Sequence, residues 1–285
     1  YVLKNLDEAK VSLKYVYLII LNNLDLIEKG FQGQGLKNVS KKHLQSIKIP
    51  LPPFEIQEQV VEQIEVKQNA IDHAKAIIQN LERERRYFGQ ALRKLEGVEM
   101  VELNEVCEIN PKKSEVKGKN FEVSFVPMSD VSEQNYYFEP KQTKNITDVY
   151  KGYTYFAEND VLLAKITPCF ENGKSAIARK LKNGIGFGST EFIVLRANNK
   201  TMPEWIYNFV ANTEFIDEGK NHMTGSAGQR RLNIDFVRAY KIPLPSLETQ
   251  KKLVAEAEKE QEAINTNKQL IEIMEQKISD VLSEI

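Results

Sequence analysis

The sequence predicts an α+β protein: a domain built on a mixed or antiparallel sheet, joined to two long helices that pair as an antiparallel coiled coil. Three observations predict it. The phrase KIPLPPFEIQEQVVEQIE at residues 48–65 returns as KIPLPSLETQKKLVAEAE at residues 241–258. Each copy opens a charged stretch, poor in glycine and proline, whose apolar residues fall at heptad spacing. Between the two stretches lie short β-branched and aromatic runs broken by Gly, Asn and Asp, the signature of strands and turns.

The repeat has an offset of 193 residues from Lys48 to Lys241, and it extends in both directions. Gly35 falls on Gly228, Lys37 on Arg230, Leu44 on Val237, Pro50 on Pro243, Pro52 on Pro245, Glu55 on Glu248 and Gln57 on Gln250. Further upstream Val16-Tyr17 aligns with Ile206-Tyr207, after a three-residue insertion in the second copy. That period is too long for a solenoid and fits a globular module plus a helix. Four segments follow: residues 1–47 are the end of a first module, 48–96 a Pro linker and first long helix, 97–245 a complete module, and 246–285 a second long helix.

In chain order, KYVYLIILNNLDLIEKG (residues 14–30) reads as a helix, followed by a Gly/Gln loop and the first IPLP exit. IPLP is extended, because a residue before proline is pushed out of the α region, and its two prolines exclude a central strand. Pro53 or Ser246 then stands where a helix starts, with Glu55 or Glu248 in the first turn, where an acid favours the helix dipole. The first seam runs through Val60, Ile64, Ile71, Ala74, Ile78, Leu81, Phe88, Leu92 and Leu95, with Lys67 and Arg85 in its gaps. The second runs through Leu253, Ala257, Ile264, Ile271, Met274, Ile278, Val281 and Ile285, with Glu260 and Asn267 in its gaps. A helix of about 40 residues is roughly 60 Å long and cannot bury such a seam alone.

The expected partner of each helix is the other, through an interface of Ile64, Ile71, Ile78, Leu81, Ile264, Ile271, Met274 and Ile278. An antiparallel register that sets Ile71 against Met274 and Ala74 against Ile271 also sets Arg85 against Glu260. The alternative is that each helix packs on its own globular domain.

In the module, VEMVELNEVCEIN is a strand or short helix entry. FEVSFVPMSDV, YTYFAENDVLLAKI, KSAIARKL and EFIVLRA are strands, and PEWIYNFVANTEFIDEGK and NIDFVRAY are helical. GIGFGS (residues 184–189) precedes a strand rather than a helix, so it reads as a hairpin turn and not as a phosphate cradle.

The 285 residues suffice for about two domains, and the net charge of −1 gives no global basic signature, so nucleic-acid binding would need a local basic face. Cys107 and Cys169 form no CxxC pattern, which fits a reducing cytoplasmic setting. The longest apolar run, VYLIIL at residues 16–21, is far below the ~18 residues of a membrane span. No signal peptide is visible. The chain begins at Tyr1 rather than Met and is expected to be a fragment or a truncated product.

Catalytic constellations are scarce. His43, His73 and His222 lie in different elements, and Glu158 and Asp160 belong to a turn before a strand. TPCF (residues 167–170) is only loosely similar to the N/D-P-P-F/Y loop of amino-methyltransferases; its first residue is wrong and it lacks an FxGxG partner. Binding chemistry is better represented, in three loops rich in short polar and cationic side chains. KITPCFENGKS offers Lys165, Thr167, Asn172, Lys174 and Ser175; GFGSTEF offers Ser189 and Thr190; MTGSAGQRRLN offers Thr224, Ser226, Gln229, Arg230 and Arg231. Arg and Lys can take guanine or phosphate, Asn and Gln can take adenine, and glycine lets the backbone come close.

These residues resemble the DNA specificity (S) subunit of type I restriction-modification enzymes. The resemblance rests on the doubled I-P-L-P-x-x-E-x-Q phrase with its long helix, on FAENDVLLAKITPCFENGK (residues 156–174), and on GQRRLNIDF (residues 228–236) leading into the second exit. It covers nearly all of the chain. It implies that residues 97–245 are a target-recognition domain, and that residues 1–47 are the C-terminal part of another. It also implies that the helices space two DNA half-sites and dock methyltransferase (M) subunits, with a restriction (R) subunit in the full complex. The S subunit of that family is not an enzyme: S-adenosylmethionine and ATP belong to its partners, no cofactor or metal to itself. The rival expectations are the specificity subunit of a type II enzyme cutting outside its site, and a coiled-coil adaptor that binds no DNA.

Overall fold

The computed structural model of the chain describes residues 7, 9–33, 38–93, 97–133, 135–226 and 228–284, without the side chains of 85–91 and 93. The expectations made for Gly35, Lys37, Leu95 and Ile285, and for the side chains of Arg85 and Phe88, lie outside the described residues. Two units form, one of residues 1–79 with 266–285, the other of residues 80–265.

The second unit holds the sheets. Five strands run in the order Cys107–Ile109, Phe192–Ala197, Val161–Ala164, Ser175–Ala178, Tyr137–Phe138, antiparallel except for the last pair. Four more run Gln142–Asn145, Glu122–Val126, Ile185–Gly188, Thr154–Ala157, with the middle pair parallel. Both sheets are therefore mixed. The helical stretch after residue 202 is two helices, Pro203–Val210 and Thr213–Asn221, because the Asn212 side chain accepts from the Glu214 N–H (2.9 Å) and starts a new one. Trp205, Ile206, Phe209 and Val210 of the first pack on Val161, Ile177 and Leu195 of the five-stranded sheet.

GIGFGS is not a hairpin turn. Ile185–Gly188 is a strand, with glycines because a Cβ on Gly186 would strike the Phe156 ring and one on Gly188 the Val126 carbonyl. The turn comes one step later, where the Glu191 N–H donates to Ser189 Oγ (3.2 Å).

The repeated phrase has one physical meaning in both copies. Lys241–Leu244 pairs antiparallel with Glu99–Glu102 in a two-stranded ribbon, so its proline avoids any central position. Just beyond it Gln250 is fully buried. Its Oε1 accepts from Thr201 Oγ1 (3.0 Å), and its Nε2 donates to the carbonyls of Lys200 (3.1 Å) and Pro245 (2.9 Å). Gln57 is buried as completely: Oε1 accepts from the Ser12 N–H (2.9 Å), and Nε2 donates to the carbonyls of Lys10 (2.8 Å) and Pro52 (2.8 Å). Trp205 Nε1 donates to the Pro243 carbonyl (3.0 Å) and Tyr15 Oη to the Pro50 carbonyl (3.1 Å). The repeat read from the sequence is thus a repeat of hydrogen bonds. Lys41–Ser46 and Ile234–Ala239 match as well, capped by Ser40 and Asn233.

The copies differ in what surrounds them. Among the described residues the first copy has no counterpart of the two larger sheets, and no strand pairs with residues 48–51. Tyr17 is 61% exposed, whereas its counterpart Tyr207 is 3% exposed against Tyr136, ring centroids 4.4 Å apart.

The long helices are Phe54–Arg93 and Leu247–Ser283. In the first unit the start of one packs with the end of the other, as an antiparallel pair requires. In the first unit Ile64, Ile71 and Ile278 are buried in one cluster, with Ile271 and Met274 packed on it. Ala74 and Ile264 are also buried, and Ile78 and Leu81 are half-buried. Val60 and Val61 are both buried, against Tyr15, Leu18 and Ile19, so the helix start also packs on its own module. In the second unit Val254 is buried and the seam residue Leu253 only partly so, for the same reason. The second helix is further held by a polar chain: Tyr137 Oη donates to Glu258 (2.5 Å), and Arg179 pairs with the buried Glu204 (2.5 Å), which Tyr137 also approaches. Among the described residues no helix is long and apolar enough to cross a membrane.

Replacing Gln250 with alanine leaves the buried Thr201 hydroxyl and the carbonyls of Lys200 and Pro245 without this partner and is expected to cost about 1–3 kcal/mol, read as a lower midpoint in thermal unfolding. Ile71→Ala, which empties a site in the helix-packing cluster, is expected to cost about 2–5 kcal/mol in the same measurement.

Candidate nucleic-acid interface

Backbone hydrogen bonds bring the three polar loops side by side. Lys165 N–H donates to the Glu191 carbonyl (2.9 Å), Leu232 N–H to the Lys165 carbonyl (2.8 Å), and Thr167 N–H to the Arg230 carbonyl (3.0 Å). Ile166 and Arg231 form a β-bridge, and Met223–Thr224 pairs with Arg231–Leu232 as a hairpin. Residues 165–175, 189–191 and 223–233 therefore share one edge of the domain, although up to about sixty positions separate them in sequence.

The side chains on that edge are not equally available. Thr190, Thr224, Ser226 and Gln229 are exposed. Asn172 is exposed and donates to Glu133 (3.4 Å); Lys174 is half-buried with Nζ on the Met128 carbonyl (3.4 Å). Ser189 shapes its turn, and the Thr167 hydroxyl is enclosed by protein. Ser175 is a correction: it is fully buried at the start of a strand, its hydroxyl on the Gly173 carbonyl (3.2 Å), because the strand's inward face claims it.

Arg230 and Arg231, the loop candidates for guanine or phosphate, are both paired. Arg230 binds Glu171, and Arg231 grips Glu191 through Nε (3.0 Å) and Nη2 (2.7 Å). The Arg231 hydrogen bond holds the Glu191 carboxyl below the ordinary glutamate range, helped by the charges of Arg231 and Lys165 and opposed by partial burial. The same bond raises Arg231.

Sequence reasoning missed a neighbouring surface. A cleft of about 730 Å³ is lined by Lys112, Lys113, Lys117, Lys165, Tyr150, Tyr153, Tyr155 and Thr190, among others, and no carboxylate lines it. Lys113 Nζ donates to the Tyr150 carbonyl (2.6 Å) and lies 5.0 Å from that ring's centre. Tyr155 donates to Glu115, and burial with that bond pushes its hydroxyl up to about 12. The signal was present in NPKKSEVKGKN (residues 110–120), four lysines against one glutamate, but that run is joined to Lys165 and Thr190 only by the fold.

The carboxylates of the FAENDVLL turn are structural. Asp160, 1% exposed, takes two hydrogen bonds from Arg196 (both 2.8 Å) and one from the Ala157 N–H (2.7 Å). Glu158 accepts from the N–H groups of Lys180 (2.7 Å) and Leu181 (2.9 Å). His43 bonds the Leu26 carbonyl (2.8 Å), His222 stacks on Phe236 (4.6 Å), and His73 is exposed on the first long helix. Among the described residues no three His, Cys, Asp or Glu side chains gather as a metal site.

Residues 1–83 and 95–276 match the family described as the type I restriction modification DNA specificity domain. The type I restriction enzyme EcoEI specificity subunit of Escherichia coli is 41% identical over 160 residues, which is 56% of this chain and 27% of that protein. The EcoAI specificity subunit of the same organism is 42% identical over 167 residues, again 56% of this chain and 27% of that protein. The match thus spans 27% of the length of these curated relatives. Among solved structures, the type I restriction-modification S subunit from M. genitalium superposes with a TM-score of 0.58 at 14% identity, covering 97% of this chain and 73% of that one, a likeness of fold.

The Arg231–Glu191 pair contributes stability above the ordinary glutamate range and loses it as pH falls through the lowered Glu191 value. Arg231→Ala is expected to move the Glu191 midpoint upward, observable in a carboxyl-carbon NMR titration; an unmoved midpoint would count against the pairing.

Proposed function

The chain belongs to the type I restriction-modification DNA specificity family, and from that premise we propose that it is a sequence-specific DNA-recognition subunit. The observation that carries this reading is the meeting of three polar loops on one edge of the module, beside a cleft lined by lysines without carboxylates. Exposed amides and hydroxyls such as Asn172, Gln229, Thr190 and Thr224 suit base edges in the major groove, while cations hold phosphates.

Residues 97–245 are the target-recognition domain and read one half-site; residues 1–47 are the C-terminal part of another such domain. The antiparallel helices set the spacing of recognition units and dock methyltransferase subunits, and a restriction subunit joins in the full complex. The chain carries out no chemistry on DNA itself: adenine methylation with S-adenosylmethionine and ATP-driven cleavage reside on those partners, in the cytoplasm. Of the groups the sequence raised as candidates for chemistry, Glu158 and Asp160 are held by backbone N–H groups, Asp160 also by Arg196; His43 is held by a carbonyl and His222 by a ring, and His73 is exposed on a helix.

The test is co-expression with the methyltransferase encoded beside it, followed by selection of bound sites from a random duplex pool. A stable complex that enriches one short motif is expected. A complex without enrichment would remove base reading from this domain, and no complex would favour a protein-binding adaptor. Within a complex that selects, Gln229→Ala and Arg230→Ala are each expected to relax one base position by about 1–3 kcal/mol without unfolding the chain.

A further inference from the structure

We infer that the lysine–tyrosine cleft grips the sugar–phosphate backbone of the DNA whose bases the neighbouring loops read, so that affinity and specificity occupy two adjoining surfaces of the domain. This inference rests on the DNA-recognition reading above and adds the division of labour.

The first ground is charge. The chain as a whole carries a net charge of −1, yet the cleft is lined by four lysines and no acid. The nearby Glu115 is held by Tyr155 and Arg196, and Glu191 by Arg231. Lys112 and Lys117 are exposed, and among the described residues their ammonium groups make no hydrogen bond or ion pair; the one bond at Lys117 is that of its backbone N–H to the Ser114 carbonyl (3.2 Å). The loop arginines are the opposite case, each neutralised by a glutamate. The cleft therefore presents positive charge with no carboxylate on its walls.

The second ground is shape. About 730 Å³ is too large for a single phosphate and is open along the surface, with Tyr150 and Tyr153 as flat walls suited to sugar rings between charges. Lysine ammoniums on long stems follow a phosphate chain as point charges, without the planar fork that selects a base edge.

The third ground is continuity. Lys165 and Thr190 line the cleft and also belong to the reading loops, so a backbone seated in the cleft passes directly to the edge where Thr224 and Gln229 stand. That favours a polymer backbone over a free anion or a nucleotide, since only a polymer would span both surfaces.

Lys113 is tied to Tyr150 and shapes the wall, so the probe is the pair that is free. The full chain, in its methyltransferase complex if one assembles and otherwise alone, is titrated with duplex DNA at several salt concentrations. The duplexes are one of the selected sequence and one scrambled. Lys112→Gln with Lys117→Gln is expected to flatten the slope of log affinity against log salt by nearly two, since each phosphate contact contributes about 0.9. Affinity for both duplexes should fall by a similar factor, leaving the selected motif unchanged, and Lys112→Arg with Lys117→Arg should restore the slope. An unchanged slope in the glutamine variant overturns the inference while leaving DNA recognition standing. So does an altered motif at constant slope, which would make these lysines base readers. A parent chain that binds no duplex in either form removes both readings together.

Discussion

Two buried glutamines hold the structure at the points where its modules become helices. A buried amide must satisfy an acceptor and two donors at once, or the group costs stability. Gln57 and Gln250 each do so with one incoming donor and two carbonyls, one of which belongs to the proline segment they follow. Proline cannot donate an N–H, so a proline-rich exit carries carbonyls that the ladder alone cannot satisfy. The glutamine one turn into the helix supplies those donors and ties the helix start to its own module. Tyr15 and Trp205 add the same kind of bond one residue pair upstream. Each long helix is thereby fixed at its start to the module it leaves.

The first turns of the helices show the consequence in packing. A pure heptad seam predicts a narrow stripe, but Val60 and Val61 are buried together, and Val254 more than Leu253. The stripe is wide where a helix must cover its own module and narrows to Ile64, Ile71 and Ile278 where it meets the other helix. Both expectations for the helices thus apply, to different turns of the same element.

Electrostatics on the recognition module follow a comparable separation. Arginine is the better base reader, and here the two arginines of the reading loops are pre-oriented by glutamates, which lowers their pull on phosphate at large. Lysine is the simpler phosphate ligand, and Lys112 and Lys117 sit in a cleft that no acid lines. A protein with almost no net charge can present a strongly signed surface only by such sorting.

The sequence by itself determined the repeat, the exits, the long helices and most strands, because each is written in local periods: prolines at fixed spacing, apolar residues every third or fourth position, alternating runs. It also contained the loops that the fold gathers on one edge. Tertiary structure alone decided which of their side chains are available. Arg230 meets Glu171 at a separation of 59 residues and Arg231 meets Glu191 at 40, and no local pattern announces a partner so far away. Ser175 looked like a loop residue until the strand turned it inward, and GIGFGS looked like a turn because nothing in its own six letters shows the Phe156 ring that requires glycine there. The lysine run near residue 112 became part of a cleft only when Lys165 and Thr190 closed it. Periodicity is a property of neighbours in the chain; charge pairing, burial and concavity are properties of neighbours in space.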